Sequence, residues 1–228
     1  MSQNFPVITI DGPSGTGKGT IAQLLADTLG WHLLDSGALY RIVAVGTEEK
    51  DININNINEV CEFAHDMKVM FSTCFEGSIV LNGEEISDQV RLEETAEKAS
   101  VVAAIPEVRE VLLSRQRDFR QEPGLVADGR DMGTVVFPDA EAKIYLTASA
   151  EERAQRRYKQ LINKGVSVNL RALLQDISGR DERDANRKVS PLRPDDDAVV
   201  IDTTTLTIEQ VLEKVLGVVE EKMPGTTG

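Results

Sequence analysis

Cysteine, histidine and aromatic residues are scarce in this chain of 228 residues. It holds two cysteines, two histidines and one tryptophan, and aromatics make up 4% of it. Cys61 and Cys74 stand apart with no partner motif. That excludes a disulfide scaffold, fits a reducing cytoplasm, and leaves both thiols as core filler. No apolar run approaches the roughly 18 residues of a membrane span. Met1 to Pro6 lack a basic region followed by an apolar block, so no secretion signal is expected. Positive charge is also short: 25 Lys and Arg against 38 Asp and Glu give a net −13. That is the wrong sign for a nucleic-acid binder. The length suits one domain with a small insert, and the 41% hydrophobic content is enough for an ordinary core.

What is present is concentrated near the start. A short apolar strand, Phe5 to Ile10, ends in Gly12-Pro13-Ser14-Gly15-Thr16-Gly17-Lys18-Gly19-Thr20. A helical pattern follows, with Ile21, Leu24, Leu25, Thr28 and Leu29 on one face and Gly30 as its stop. Strand, glycine loop and helix form the context of a phosphate-binding loop. Glycines clear the approach so that backbone N–H groups can wrap an anion. The helix presents its positive end, and Lys18 adds a point charge for the outer phosphates. Gly19 stands where Ser or Thr usually follows the lysine, so direct metal ligation by the loop is in doubt; Thr20 comes one residue late.

The rest of the chain alternates strand and helix, with one exception. Trp31 to Leu34 reads as a strand leading to Asp35-Ser36-Gly37 and a helix over Ala38 to Gly46. Ser36 fits a helix cap; Arg41, one turn on, could reach a second phosphate. Asn56 to Met67 reads as a helix. Residues 68 to 90 read as a small antiparallel sheet, with Glu76-Gly77 and Asn82-Gly83 as turns. Helices follow over Leu92 to Ala104 and Glu107 to Arg120, carrying Ser100 and Arg109. Gly124 to Asp128 is a strand, with Gly129-Arg130-Asp131-Met132-Gly133 just past its carboxyl end, where open α/β sheets bind ligands. Strands at Lys143 to Thr147 and Ala198 to Asp202 remain. A closing helix carries the stripe Ile208, Val211, Leu212, Val215, Leu216 and Val219.

Charge is unevenly spread. From Arg153 to Arg193 eleven cations face four acids, so this segment carries +7 and the remainder −20. A local basic stretch in an acidic chain points to a small anionic ligand. Glu151 to Val166 reads as a mobile arm that closes over phosphates. Val168 to Arg187 reads as a helix with Leu170, Leu173, Leu174 and Ile177 buried and with Arg180, Arg183, Asp184 and Arg187 on a shared face.

The poverty of histidine bears on the reaction. A triphosphate donor meeting a neutral acceptor needs a base, often His or Asp, and His32 and His65 lie in no suggestive setting. A phosphate acceptor is already an anion near neutrality. It needs cations, because two polyanions must be brought together; Arg41, Arg130, Arg187 and the arm arginines, with Lys18 and Mg²⁺, would supply them. A kinase for another small metabolite would share the loop without needing so many arginines, and a nucleotide switch would keep a hydroxyl directly after the lysine.

Four stretches carry a closer likeness: Gly12 to Thr20, Leu34 to Arg41, Ala127 to Thr134, and Arg180 to Asp184 with Asn186-Arg187. The first resembles the loop of nucleoside monophosphate kinases; the other three resemble bacterial cytidylate kinases, a likeness that extends over about 5 to 220. The resemblance implies an α/β fold of P-loop NTPase type: a five-stranded parallel sheet flanked by helices, a small antiparallel insert and a short helical lid. The core is expected over about 1–66, 105–150 and 190–228, the monophosphate-binding insert over about 67–104, and the lid over about 151–166. It implies transfer from ATP, with Mg²⁺, to CMP or dCMP. By resemblance, Lys18, Arg130 and Arg187 are catalytic. Ser36, Arg41 and Arg130 hold the acceptor phosphate, and Ser100, Arg109 and Asp131 read the base. Arg180, Asp184 and Arg187 handle the sugar and nearby phosphate, while Arg153, Arg156 and Arg157 belong to the lid. Asp128 fits either a group orienting Mg²⁺-bound waters or a cap on its strand end; Asp131 also fits an ion pair with Arg130 or Arg109. A cytoplasmic monomer acting on small molecules, away from nucleic acid and membrane, is expected.

Overall fold

The computed structural model describes residues 5–72, 78–163, 165–187 and 189–226. Cys74 and the turn expected at Glu76-Gly77 lie outside them. The described chain divides into two compact units, residues 5–35 with 117–226 and residues 36–116.

The first unit is built on a parallel sheet. Its strands are β1 (Val7–Asp11), β2 (His32–Asp35), β6 (Leu125–Gly129), β7 (Ala142–Thr147) and β8 (Val199–Asp202), in the order β2-β6-β1-β7-β8. Every residue of β1 and β6 is buried, as expected for central strands covered on both faces. The register pairs Ile10 with Asp128, Asp11 with Gly129, and Asp35 with Asp128. Three carboxylates thus gather at the carboxyl ends of adjacent strands. Helices α1 (Lys18–Leu29) and α9 (Ile208–Lys222) cover the sheet with Ile21, Leu25, Val211, Val215 and Val219, which pack with Ile8, Ile10, Ile144 and Leu146. Ile208, expected on the buried stripe, is 49% exposed. It opens its helix directly after the capping residue Thr207, whose hydroxyl accepts from the Gln210 amide while Gln210 answers the Thr207 N–H. That reciprocal cap, worth about 1 kcal/mol, fixes the helix start.

The basic segment forms α7 (Ala150–Asn163) and α8 (Leu170–Ala185). The apolar face expected on α8 is only partly realised. Leu170 is 40% exposed, and the one buried residue of the helix is Asp184. The helix packs mainly on α7, a polar neighbour, so its leucines find shallow cover and its carboxylate is drawn inward by arginines.

The second unit contains α2 (Ser36–Glu49), α3 (Ile57–Asp66), β3 (Val69–Ser72), β4 (Ser78–Leu81), β5 (Glu84–Glu85), α4 (Ser87–Arg91), α5 (Glu93–Val102) and α6 (Pro106–Arg117), the last of which ends at the boundary. The strands form an antiparallel sheet in the order β3-β4-β5. Asn82 and Gly83 both take positive φ, 52° and 98°, as a two-residue hairpin turn requires. The unit runs from 36 to 116. α2 packs on α3, α4 and α5, and Arg115 of α6 donates to the carbonyls of His65 and Met67. Among the described residues no helix is long and apolar enough to cross a membrane.

Candidate active site

The cradle forms because β1 stops and the chain must reverse into α1 within six residues. Gly12, Gly15 and Gly17 take positive φ there. At Gly12 a side chain is impossible: a Cβ would lie 2.1 Å from the Leu146 carbonyl oxygen of β7. Thr16 is buried and closes the loop by donating to the Pro13 carbonyl at 3.2 Å. Pro13 is buried, Ser14 partly so, and Thr20 is exposed in the first turn of α1. Gly19 is helical, and its role differs from that of the loop glycines. A Cβ at this position would lie 3.2 Å from Asp128 Oδ2. The usual Ser or Thr would therefore crowd the carboxylate at the penultimate position of β6.

Lys18 bends over the loop. Its Nζ donates to the Pro13 carbonyl at 3.3 Å and lies 4.0 Å from Asp128 Oδ1, with 12% of its side chain exposed. Burial lowers its pKa to about 8, and Arg130 adds to the shift, while Asp128 and Asp35 oppose it. A bound polyphosphate would reverse that shift and hold the ammonium charged.

Beside the cradle an arginine cluster is organised by one carboxylate. Asp184 is fully buried. Arg130 Nε donates to its Oδ2 at 2.8 Å, and Arg187 Nη2 bonds its Oδ1. Burial would lift the Asp184 pKa, but Arg130 and Arg187 more than reverse this and hold it below the usual carboxylate range. Burial likewise works against the charge on Arg130, and Asp184, Asp128 and Asp181 outweigh it. Arg180 contributes to the field at both Lys18 and Asp184. Arg183, expected on the same face, is exposed; of the α8 positions, 184 turns inward and 183 outward.

Two arm arginines clasp the cradle from behind. Arg153 is 4% exposed; it donates to the Ser14 carbonyl at 3.0 Å and pairs through both terminal nitrogens with Asp181. Arg156 donates to Thr203 and to the Thr16 carbonyl, the latter at 3.4 Å. Thr203 in turn donates to the Thr16 carbonyl at 3.1 Å. Arg157 makes a surface hydrogen bond with Gln160. Binding loop carbonyls from outside leaves the loop N–H groups to face an anion.

The remaining sequence-derived residues fall in the second unit. Ser36 is buried at the first position of α2, inside the helix instead of ahead of it, and Arg41 is half-buried further along. Arg109 on α6 donates to the Ala103 carbonyl at 3.1 Å, with its guanidinium 5.6 Å from the Tyr40 ring centre. Ser100 on α5 is 3% exposed, and its hydroxyl has no hydrogen-bond partner among the described residues.

Sequence reasoning missed Asp11, Asp35, Asp181 and Thr203. A signal existed for the first two. β1, β2 and β8 each close on an aspartate, and Asp128 stands at the penultimate position of β6.

A parallel sheet whose central strand runs into a glycine cradle, with a lysine over the cradle and paired arginines beside it, defines a P-loop protein built for phosphoryl groups. The model of the cytidylate kinase family matches residues 8–221. A cytidylate kinase of Aeromonas salmonicida is 55% identical over 98% of this chain and 97% of its own. One from Shewanella loihica is 54% identical over 98% of each. Among solved structures, TT1252 from Thermus thermophilus covers 94% of this chain and 98% of its own at 20% identity and a TM-score of 0.45, too remote to add to the fold described. The chain belongs to the cytidylate kinase family.

Proposed function

We propose that this protein transfers the γ-phosphoryl group of ATP to CMP or dCMP, giving ADP and CDP or dCDP. The observation that carries the reading is the pair Arg130 and Arg187 locked on buried Asp184 beside a lysine-bearing phosphate cradle. Such a cluster suits an acceptor that is itself a phosphate, whose oxygen needs no general base.

The roles divide as follows. Loop amides of 12–20 and Lys18 hold the donor phosphates. Arg130 and Arg187 neutralise charge that builds between donor and acceptor, and with Lys18 are the catalytic groups. Ser36 and Arg41 hold the acceptor phosphate with Arg130; Arg180 and Asp184 serve the sugar and nearby phosphate. The Asp131 carboxylate accepts from the cytosine amine, and Arg109 donates to N3 or O2, with Ser100 beside it in role. Uracil would set like against like, at a cost of roughly 1–3 kcal/mol for each unpaired group. The arm of Arg153, Arg156 and Arg157 shields the donor from water.

The residues fit Mg²⁺ entering with ATP: the space left by Gly19 opens on an Asp128 oxygen, a hard donor suited to a magnesium-bound water. When bound, the ion neutralises donor phosphate charge. We read the enzyme as a cytoplasmic monomer acting on free nucleotides.

Coupled ADP release across CMP, dCMP, UMP and AMP tests the proposal. CMP and dCMP should turn over far faster than the other two. Equal rates with AMP, or ATP hydrolysis that no monophosphate stimulates, would reject it.

A further inference from the structure

Asp11 is the last residue of β1, at the point where the central strand becomes the phosphate cradle. It is 5% exposed. A carboxylate behind a polyanion site is electrostatically misplaced, so something else must account for it. Burial pushes its pKa up to about 7, and Asp131 and Asp128 add to the rise. The forces on the other side are two backbone amides. Met132 N–H donates to Oδ1 and Gly133 N–H to Oδ2, each at 2.8 Å.

Those amides open a five-residue π-helical turn, Met132–Val136, and the residue directly before them is Asp131. The turn is pressed against the sheet: a Cβ at Gly133 would come within 2.9 Å of Thr9 Oγ1 and 3.2 Å of the Lys143 side chain. The Asp131 carbonyl accepts from the amides of Val135 and Val136, at 2.9 and 3.2 Å. The backbone of Asp131 is therefore held from both sides. The turn holds its carbonyl, and Asp11 holds the two amides that follow.

We propose that Asp11 is a positioning residue for base selection: by gripping the amides of Met132 and Gly133 it aims the Asp131 carboxylate and ties that aim to the strand bearing the phosphate cradle. The inference rests on the reading of Asp131 as the group that meets the cytosine amine. The residue type follows from the geometry. A carboxylate offers two coplanar acceptors to two consecutive N–H groups; an amide offers one acceptor and sets its NH₂ against the other donor. Asp131, Asp128 and Tyr145 are the titratable groups in its field, and Lys143 flanks the turn.

The experiment is a double-mutant cycle read as the ratio of kcat/KM for CMP to that for UMP. Asp131→Ala should collapse the ratio. Asp11→Asn should lower it about tenfold or more, leave KM for ATP within about twofold, and have no further effect on the ratio in the Asp131→Ala background. An unchanged ratio in Asp11→Asn beside a collapsed one in Asp131→Ala overturns the inference and leaves base reading standing. An unchanged ratio in Asp131→Ala overturns base reading and the inference with it. If Asp11→Asn does not fold, the wild-type enzyme provides the test. Its ratio should fall as pH drops from 8 to 6, because protonated Asp11 loses one acceptor. Both acceptors carry the same phosphate group, titrating near 6, which cancels in the ratio. A flat ratio overturns the proposal.

Discussion

Lys18 and Asp184 illustrate opposite ways of keeping a charge in this site. Lys18 is left partly uncompensated: burial and then Arg130 bring its pKa down to about 8. Its amine should therefore acylate with a midpoint near pH 8, and ATP should suppress labelling by restoring the proton. Labelling with a midpoint near that of surface lysines would contradict the placement. Asp184 is instead fully compensated, by two guanidiniums. Asp184→Asn takes away the buried counter-charge that Arg130 and Arg187 share, a loss of about 3–5 kcal/mol in urea unfolding. Added inorganic phosphate should restore part of it, and no recovery would argue that the cluster does not accept phosphate. The acid limbs of the two buried carboxylates also differ in sign. The depressed pKa of Asp184 contributes stability above the ordinary 3.8 that is lost as pH falls through its lower folded value. Asp11 is raised from 3.8 to about 7, so its contribution falls as pH climbs between those values. Asp11→Asn should remove the second trend: wild-type stability relative to this variant declines from pH 4 to 7 in denaturant titrations, and a constant difference would contradict the raised pKa.

At the scale of elements, what the sequence revealed and what it hid follow one division. Features set by neighbours along the chain were readable. The cradle needs glycines at fixed spacing, the β4–β5 turn needs Asn82-Gly83, and α9 needs its three-and-four stripe. Features set by what lies across the molecule were not. Nothing near Leu170 says that its helix packs on a polar partner, and nothing near Asp11 says that its carboxylate meets amides 121 and 122 residues away. The arm is the middle case. Its charge marked it as a phosphate element, but the packing adds a second task, since Arg153 and Arg156 grip the carbonyls of Ser14 and Thr16. Arg153→Ala should raise KM for ATP about tenfold or more and leave KM for CMP nearly unchanged, because the loop loses its rear brace. Arg153→Lys keeps the charge without the fork that spans Asp181 and should recover only part of the loss. Steady-state kinetics with each substrate varied decides this. An unaltered KM for ATP in Arg153→Ala would remove the brace.

The whole molecule sets two fields against each other. The chain carries −13 in all, while the segment from Arg153 to Arg193 carries +7 and the remainder −20. A nucleotide approaching from bulk meets a repulsive protein, and close to the site it meets arginines. These fields have different ranges, so salt separates them. The screening length is about 30 Å at 0.01 M and about 10 Å at 0.1 M. The first addition of salt removes the long-range repulsion and leaves contacts of a few ångströms between guanidinium and phosphate. Further salt weakens those contacts too, until at 1 M the length is about 3 Å. The value of kcat/KM for CMP should therefore pass through a maximum as salt rises, at fixed free Mg²⁺. A monotonic fall from the lowest salt would mean that the basic segment governs approach at every distance and the acidic remainder none of it. Neutralising an exposed acid outside the basic segment, Glu221→Gln near the end of α9, should move the rising limb slightly and the falling limb not at all, which assigns each limb to its own set of charges.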